Sequence, residues 1–168
     1  QVQGQRFSFT LSYPPMTRAD FAPLMAFIMK QRSRKESFTV TFPSYLNAQG
    51  NETATLLVNG SHSVGDTTIS IDAFGADGAG RLKAGDFIKF AHAKVYMVVE
   101  DVTSSSNAST VTIEPPLREA LADNSAVTYD SIPFTVHLRS DVQEFATGQN
   151  DKNGNLLLNY EFDVIESL

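Results

Sequence analysis

The sequence predicts a mainly β chain with one α-helix, organised as a split β-sandwich domain that carries an inserted small β-barrel. Three observations predict it. Segments near both ends alternate apolar and polar residues with the period of a half-buried strand. Between them, from about residue 54 to 130, short β-prone segments are punctuated by Gly60, Gly65, Gly75, Gly78, Gly80 and Gly85, the texture of a small barrel or sandwich. One stretch alone carries apolar residues at substantial helical spacing.

The first alternating run is Arg6 to Tyr13, and Pro14 and Pro15 are expected to stop it, because proline cannot donate to a ladder. "MTRADFAPLMAFIMKQR" follows, with Phe21, Leu24, Met25, Ile28 and Met29 on one helical face. Thr17 and Asp20 resemble a capping pair. A start at Asp20 places Pro23 in the first turn, where its missing N–H costs little, so the helix is expected over about 20–31. "SFTVTFP", residues 37–43, alternates again and should end at Pro43. Short strands are then expected at Leu56–Val58, Thr68–Ile71, Phe87–Phe90, Val95–Val99, Val111–Ile113 and Val127–Tyr129. After Pro133 the early texture returns in "PFTVHLRS", and "LLLNYEFDVIES" follows the turn "NDKNGN". Residues 1–48 and 132–168 are therefore assigned to one outer domain, since neither half has enough apolar surface to fold alone, and 54–130 to the inserted barrel.

Composition narrows the function. The 168 residues are 42% hydrophobic and 19% charged, with a formal net charge of −6 and no cysteine. That excludes disulfides and thiolate chemistry, disfavours specific binding to nucleic acid, and leaves no apolar run long enough for membrane insertion. The start at Gln1 and the lack of a leader suggest missing N-terminal residues. Asn51, Asn59 and Asn107 lie in N-x-[ST] triplets, read as polar loop chemistry in the absence of a secretion signal.

No motif commits the chain to chemistry. His62, His92 and His137 lie far apart, with no spacing that would set two imidazoles on one metal. There is no G-x-S-x-G elbow and no phosphate-binding glycine loop. Glu100 with Asp101, and Glu161 with Asp163, read as solvated carboxylates rather than a glycosidase pair. "DKNGN" shares the first half of a calcium loop, but Phe162 stands where the bidentate glutamate belongs, so a hairpin turn is expected. The densest mixture of chemical groups, "RLKAGDFIKFAHAKVYMVVEDV" at 81–102, reads as a glycine turn feeding two paired strands. No catalytic residue, metal or cofactor is expected, and the chain is not expected to be an enzyme. Open sheet edges in an acidic, cysteine-free β protein point to assembly.

Three segments together, "FTLSYPPMTRADFAPLMAFIMKQRSRKESFTVTFP", "LKAGDFIKFAHAKVYMVVEDV" and "VTIEPPLREAL", resemble a family of tailed-bacteriophage tail proteins of the distal tail or baseplate type. The likeness runs from Arg6 to about Tyr129. It implies a virion structural protein made in the host cytoplasm: a ring subunit, hexameric in that family, at the distal end of the tail. The ring would join the tube to the hub, baseplate or fibres, with DNA only passing through an acidic lumen. Lys30, Arg32, Arg34 and Lys35 are candidates for a contact with an acidic neighbouring subunit, and Pro115, Pro116, Leu117 and Arg118 match the family's "PPLR" loop; together they form the candidate assembly interface. Two alternatives are a tail-tube or neck ring subunit, and a receptor- or carbohydrate-binding module. The last would need an exposed aromatic cluster, for which Tyr45, Phe74 and Tyr96 are the candidates.

Overall fold

A computed structural model describes residues 5–42 and 45–168. The chain is mainly β, with a single helix among the described residues. Its elements are β1 (Ser8–Met16), α1 (Arg18–Lys30), β2 (Phe38–Thr41), β3 (Leu56–Val58), β4 (Thr68–Asp72), β5 (Phe87–Lys89), β6 (Val95–Val98), β7 (Ala108–Glu114), β8 (Ala126–Val127), β9 (Pro133–Leu138), β10 (Phe145–Asn150) and β11 (Leu156–Glu166). Two compact units result. One comprises residues 40–134; the other joins 6–39 to 135–167.

In the split unit, the eleven-residue β11 is the central strand. β1 pairs along it antiparallel from Ser8↔Ile165 to Met16↔Leu158. On its other side β10 takes the first half and β9 the second, and β2 continues the sheet beyond β9. The alternation read in the sequence sets the faces: Tyr160, Phe162 and Val164 are buried, whereas Glu161 and Asp163 face solvent and accept hydrogen bonds from Ser12 and Thr10. Phe21 of α1 packs edge-on against Tyr160, with ring centroids 5.6 Å apart.

Two expectations for this unit are corrected. β1 does not stop at Pro14 but runs on to Met16 through a register shift after Tyr13. A proline costs no ladder bond on an outermost strand when its nitrogen faces outward. The helix begins at Arg18, not Asp20. Thr17 caps it, accepting from the Asp20 amide at 3.4 Å and donating to the Asp20 carboxylate at 2.8 Å. Pro23 thus lies inside the helix. Its ring removes one bond to Ala19, but both residues are exposed, so solvent can take the freed carbonyl. The expected end of β2 at Pro43 lies outside the described residues, and β10 is a strand that the sequence reading did not anticipate.

The other unit is a barrel with strand order β5-β6-β7-β4-β3-β8. Reciprocal 2.8 Å bonds between Lys89 and Thr128 link its first and last strands and nearly close it. Leu56, Val58, Ile69, Ile71, Ile88, Val98, Val111 and Ile113 are fully buried inside. Residues 49–52 run across this barrel as a strap, the Asn51 amide donating to Gly80 O at 2.9 Å and the Glu52 amide to Arg81 O at 3.1 Å. Gly50 permits the close approach. A Cβ there would collide with the Arg81 carbonyl oxygen and come within 2.7 Å of Leu82 Cα.

Gly50→Ala should therefore destabilise the barrel by about 1–3 kcal/mol, the usual cost of overpacking. Urea unfolding followed by circular dichroism checks it; an unchanged midpoint would show that the strap shifts freely.

Candidate assembly interface

In segment 81–102 the mixed polar and aromatic groups build structure, as the turn-and-strands reading expects. Gly85 adopts φ 98° in the turn, and the Asp86 amide closes it on Lys83 O at 3.0 Å. The buried Asp86 carboxylate accepts from the amides of Lys83 and Gln49, each at 2.8 Å, and of Gly50 at 3.3 Å. One side chain thus holds both the turn and the strap. Tyr96 is fully buried, and its hydroxyl accepts from the Arg118 amide at 3.0 Å. The Lys94 ammonium lies 5.7 Å from the Tyr96 ring centroid. Burial lowers the His92 pKa, which keeps the imidazole neutral at physiological pH.

The strongest polar feature is a buried ion pair. Glu52 Oε2 accepts from Arg81 Nη2 at 2.6 Å and Nε at 2.9 Å, and its Oε1 takes the amides of Ala54, Thr53 and Gly75 at 2.7, 2.8 and 3.2 Å. Burial alone would push this carboxyl up. The amides of Ala54, Thr53 and Gly75 together with the Arg81 guanidinium outweigh it and hold Glu52 below its ordinary value. Tyr129 completes the group by donating its hydroxyl to Ala54 O at 2.6 Å, and burial beside Glu52 and Asp130 raises its pKa. The pair fastens the strap to the barrel wall. No sequence pattern marks it, because residues 52 and 81 become partners only once the barrel has formed.

The candidate interface residues fall into two groups. Lys30, Arg32, Arg34 and Lys35 lie together and exposed where α1 ends. Arg34 approaches Asp141 at 3.6 Å, both side chains largely exposed, so the contact contributes little. Lys30, Arg32 and Lys35 make no ion pair among the described residues. Of the "PPLR" residues, Pro115 and Leu117 are buried and Pro116 is half-buried, with the Leu117 amide donating to Asp66 O at 2.8 Å. Arg118 is the one left exposed. The three aromatics that could have formed a carbohydrate platform do not make one: Tyr45 is exposed, while Phe74 and Tyr96 lie in the barrel core.

A groove of about 990 Å³ lies between α1 and the β10–β11 hairpin. Met25, Ala22, Ala26 and Met29 form one wall, Phe145, Leu156 and Leu158 the other. The helix was expected to bury one apolar face. It fully buries Phe21 and Ile28, half-buries Leu24 and Met25, and leaves Met29 61% exposed; Phe145 and Leu156 are also about half exposed. The hairpin holds the groove's far wall through its turn, where Asp151 accepts from Asn153 and Asn155 and Gly154 adopts φ 83°. Charge is also segregated. Residues 40–134 carry eleven acidic against five basic side chains, whereas 6–39 and 135–167 together carry eight of each. The whole net charge of −6 therefore resides on the barrel unit.

No family model matches the chain, and no curated protein matches it either. Among the described residues no cluster of three or more His, Asp or Glu is placed to hold a metal, and no helix is long and apolar enough to cross a membrane.

Removing one member of the buried pair leaves the other uncompensated. Glu52→Gln should cost roughly 3–5 kcal/mol at neutral pH. Because folding lowers the Glu52 pKa, its contribution is complete above the ordinary value of 4.5 and is lost as pH falls through the lower folded value. Denaturant melts of wild type and Glu52→Gln between pH 7 and pH 3 should therefore converge at the acid end; parallel curves would rule out the ionised pair as the source.

Proposed function

We propose that this chain is a structural subunit of a bacteriophage tail that forms a ring at its distal end and joins the tube to the hub, baseplate or fibres. The observation that carries assembly is the unfinished split unit: its helix leaves an apolar groove open against the β10–β11 hairpin, and its nine-residue β1 is an outermost strand. The resemblance of "FTLSYPPMTRADFAPLMAFIMKQRSRKESFTVTFP", "LKAGDFIKFAHAKVYMVVEDV" and "VTIEPPLREAL" supplies the tail context.

The outer edge of β1 has defined chemistry. Phe7 O accepts from the Glu166 amide at 2.8 Å. Alternation along an antiparallel pair then turns the peptide groups of Ser8, Thr10 and Ser12 away from β11. No charged residue lies in Phe7–Thr17 to blunt this edge, and charge is a common device against unwanted pairing. The split unit supplies sheet and helix surfaces to the ring, and the barrel also meets other tail components. An acidic barrel agrees with a lumen that lets DNA pass without adhering.

Mass in solution and symmetry-resolved images of the native particle test the reading. A ring with this chain at the distal end of the tail is expected; a chain that stays monomeric and has no symmetric place in a particle would overturn it. Thr10→Pro removes an outward donor and keeps the backbone bonds of the β1–β11 ladder, losing across it only the exposed Thr10–Asp163 side-chain bond. Assembly should drop at least tenfold while the circular dichroism spectrum stays that of the wild type.

A further inference from the structure

Two surfaces of this chain are complementary. The α1 groove is apolar at its centre, with Met25, Met29, Ala22 and Ala26, and cationic at its ends: Arg18 lines one, and Lys30 follows Met29 at the other, leading into Arg32 and Lys35. On the barrel, β6 and β7 present the opposite arrangement. Met97 is half-exposed and Val99 39% exposed on one face, Glu114 stands opposite Met97 in the ladder, and exposed Glu100 follows Val99, accepting from Thr112 Oγ1 at 3.0 Å. An apolar pair framed by carboxylates thus faces solvent on one unit, and an apolar groove framed by cations on the other.

The barrel has few cations to neutralise such a patch. Of its five, Arg81 and Lys94 are buried and Lys83 is bonded to Asp101 at 2.9 Å, which leaves Lys89 and Arg118. Among the described residues the cations at the end of α1 likewise make no ion pair apart from the exposed Arg34–Asp141 contact.

From this charge complementarity, and resting on the reading of the chain as a ring subunit, we infer that the α1 groove of one copy docks on the Met97–Val99 face of a second copy. Lys30 and Lys35 are steered to Glu100 and Glu114. The contact is heterologous, one surface meeting a different one, which is the geometry that generates rings. Opposed charges set register and association rate, and burial of the methionine groove supplies the adhesion.

A charge-swap series tests the pairing. Wild type, Lys30→Glu/Lys35→Glu, Glu100→Lys/Glu114→Lys and the fourfold combination are compared by sedimentation at low and high salt, with folding checked by thermal melts. Wild type should sediment as a multimer that weakens with salt. Each double variant should fall to the 18.4 kDa single chain, and the fourfold variant should regain the multimer. Met29→Asp should also dissociate it at any salt. A multimeric wild type whose double variants assemble equally well, or whose fourfold variant stays dissociated, overturns the pairing and leaves the ring reading standing. A wild type that is a single chain at every concentration and salt overturns the pairing, and the ring reading with it if the chain also has no symmetric place in a particle.

Discussion

The fold depends on holding the two ends of an insertion together. β2 and β9 are neighbours in one sheet, yet the whole barrel intervenes between them in sequence. Closing so long a loop costs conformational entropy that the sheet alone would have to offset. The barrel unit offsets it by tying its own entrance to its exit. Asn47 Oδ1 accepts from the Ser131 amide at 3.0 Å, Asp130 from the Ala48 amide at 2.9 Å, and Ala54 O from the Tyr129 hydroxyl. Glu52 and Arg81 then lock the entering strap against the barrel wall, where Gly50 lets it lie flat.

The alternation of Phe7–Leu11, Phe38–Val40 and Tyr160–Val164 was enough to place β1, β2 and β11. The punctuating glycines were enough to place those of the barrel. What escaped the sequence has physical causes. β10 is polar, contains Gly148 and is exposed along nearly its whole length, so nothing in its pattern marks a buried face. Pro14 and Pro15 are breakers by rule, but the rule relaxes on an outermost strand, and which strand is outermost is a property of the sheet. The helix start turned on whether a Thr17 cap outweighs a proline inside the helix. The apolar face of α1 was legible; that half of it would stay open was not, because exposure depends on where the β10–β11 hairpin lies. The same limit applies to the "PPLR" loop, whose Leu117 is a core residue held by partners far away in sequence.

The two units solve the burial problem differently. In the barrel nearly every inward position is filled, and its two buried carboxylates are satisfied: Asp86 by three amides, Glu52 by three amides and a guanidinium. The split unit has a short inward list, chiefly Phe21, Ile28, Val136, Leu138, Tyr160 and Val164, with large apolar side chains left at the surface. Its charges balance, while the barrel holds all the excess. A unit that is electrically neutral and apolar at its open groove is thus joined to one that is filled inside and acidic outside.

The ties between residues 47–54 and 129–131 also bear on how such a chain could have arisen. A segment whose own side chains bring its two ends side by side asks little of the sheet that receives it: any connection between two adjacent strands offers a socket of the right width. The barrel behaves as a cartridge, free to diversify or to be traded for another while its carrier keeps the same register.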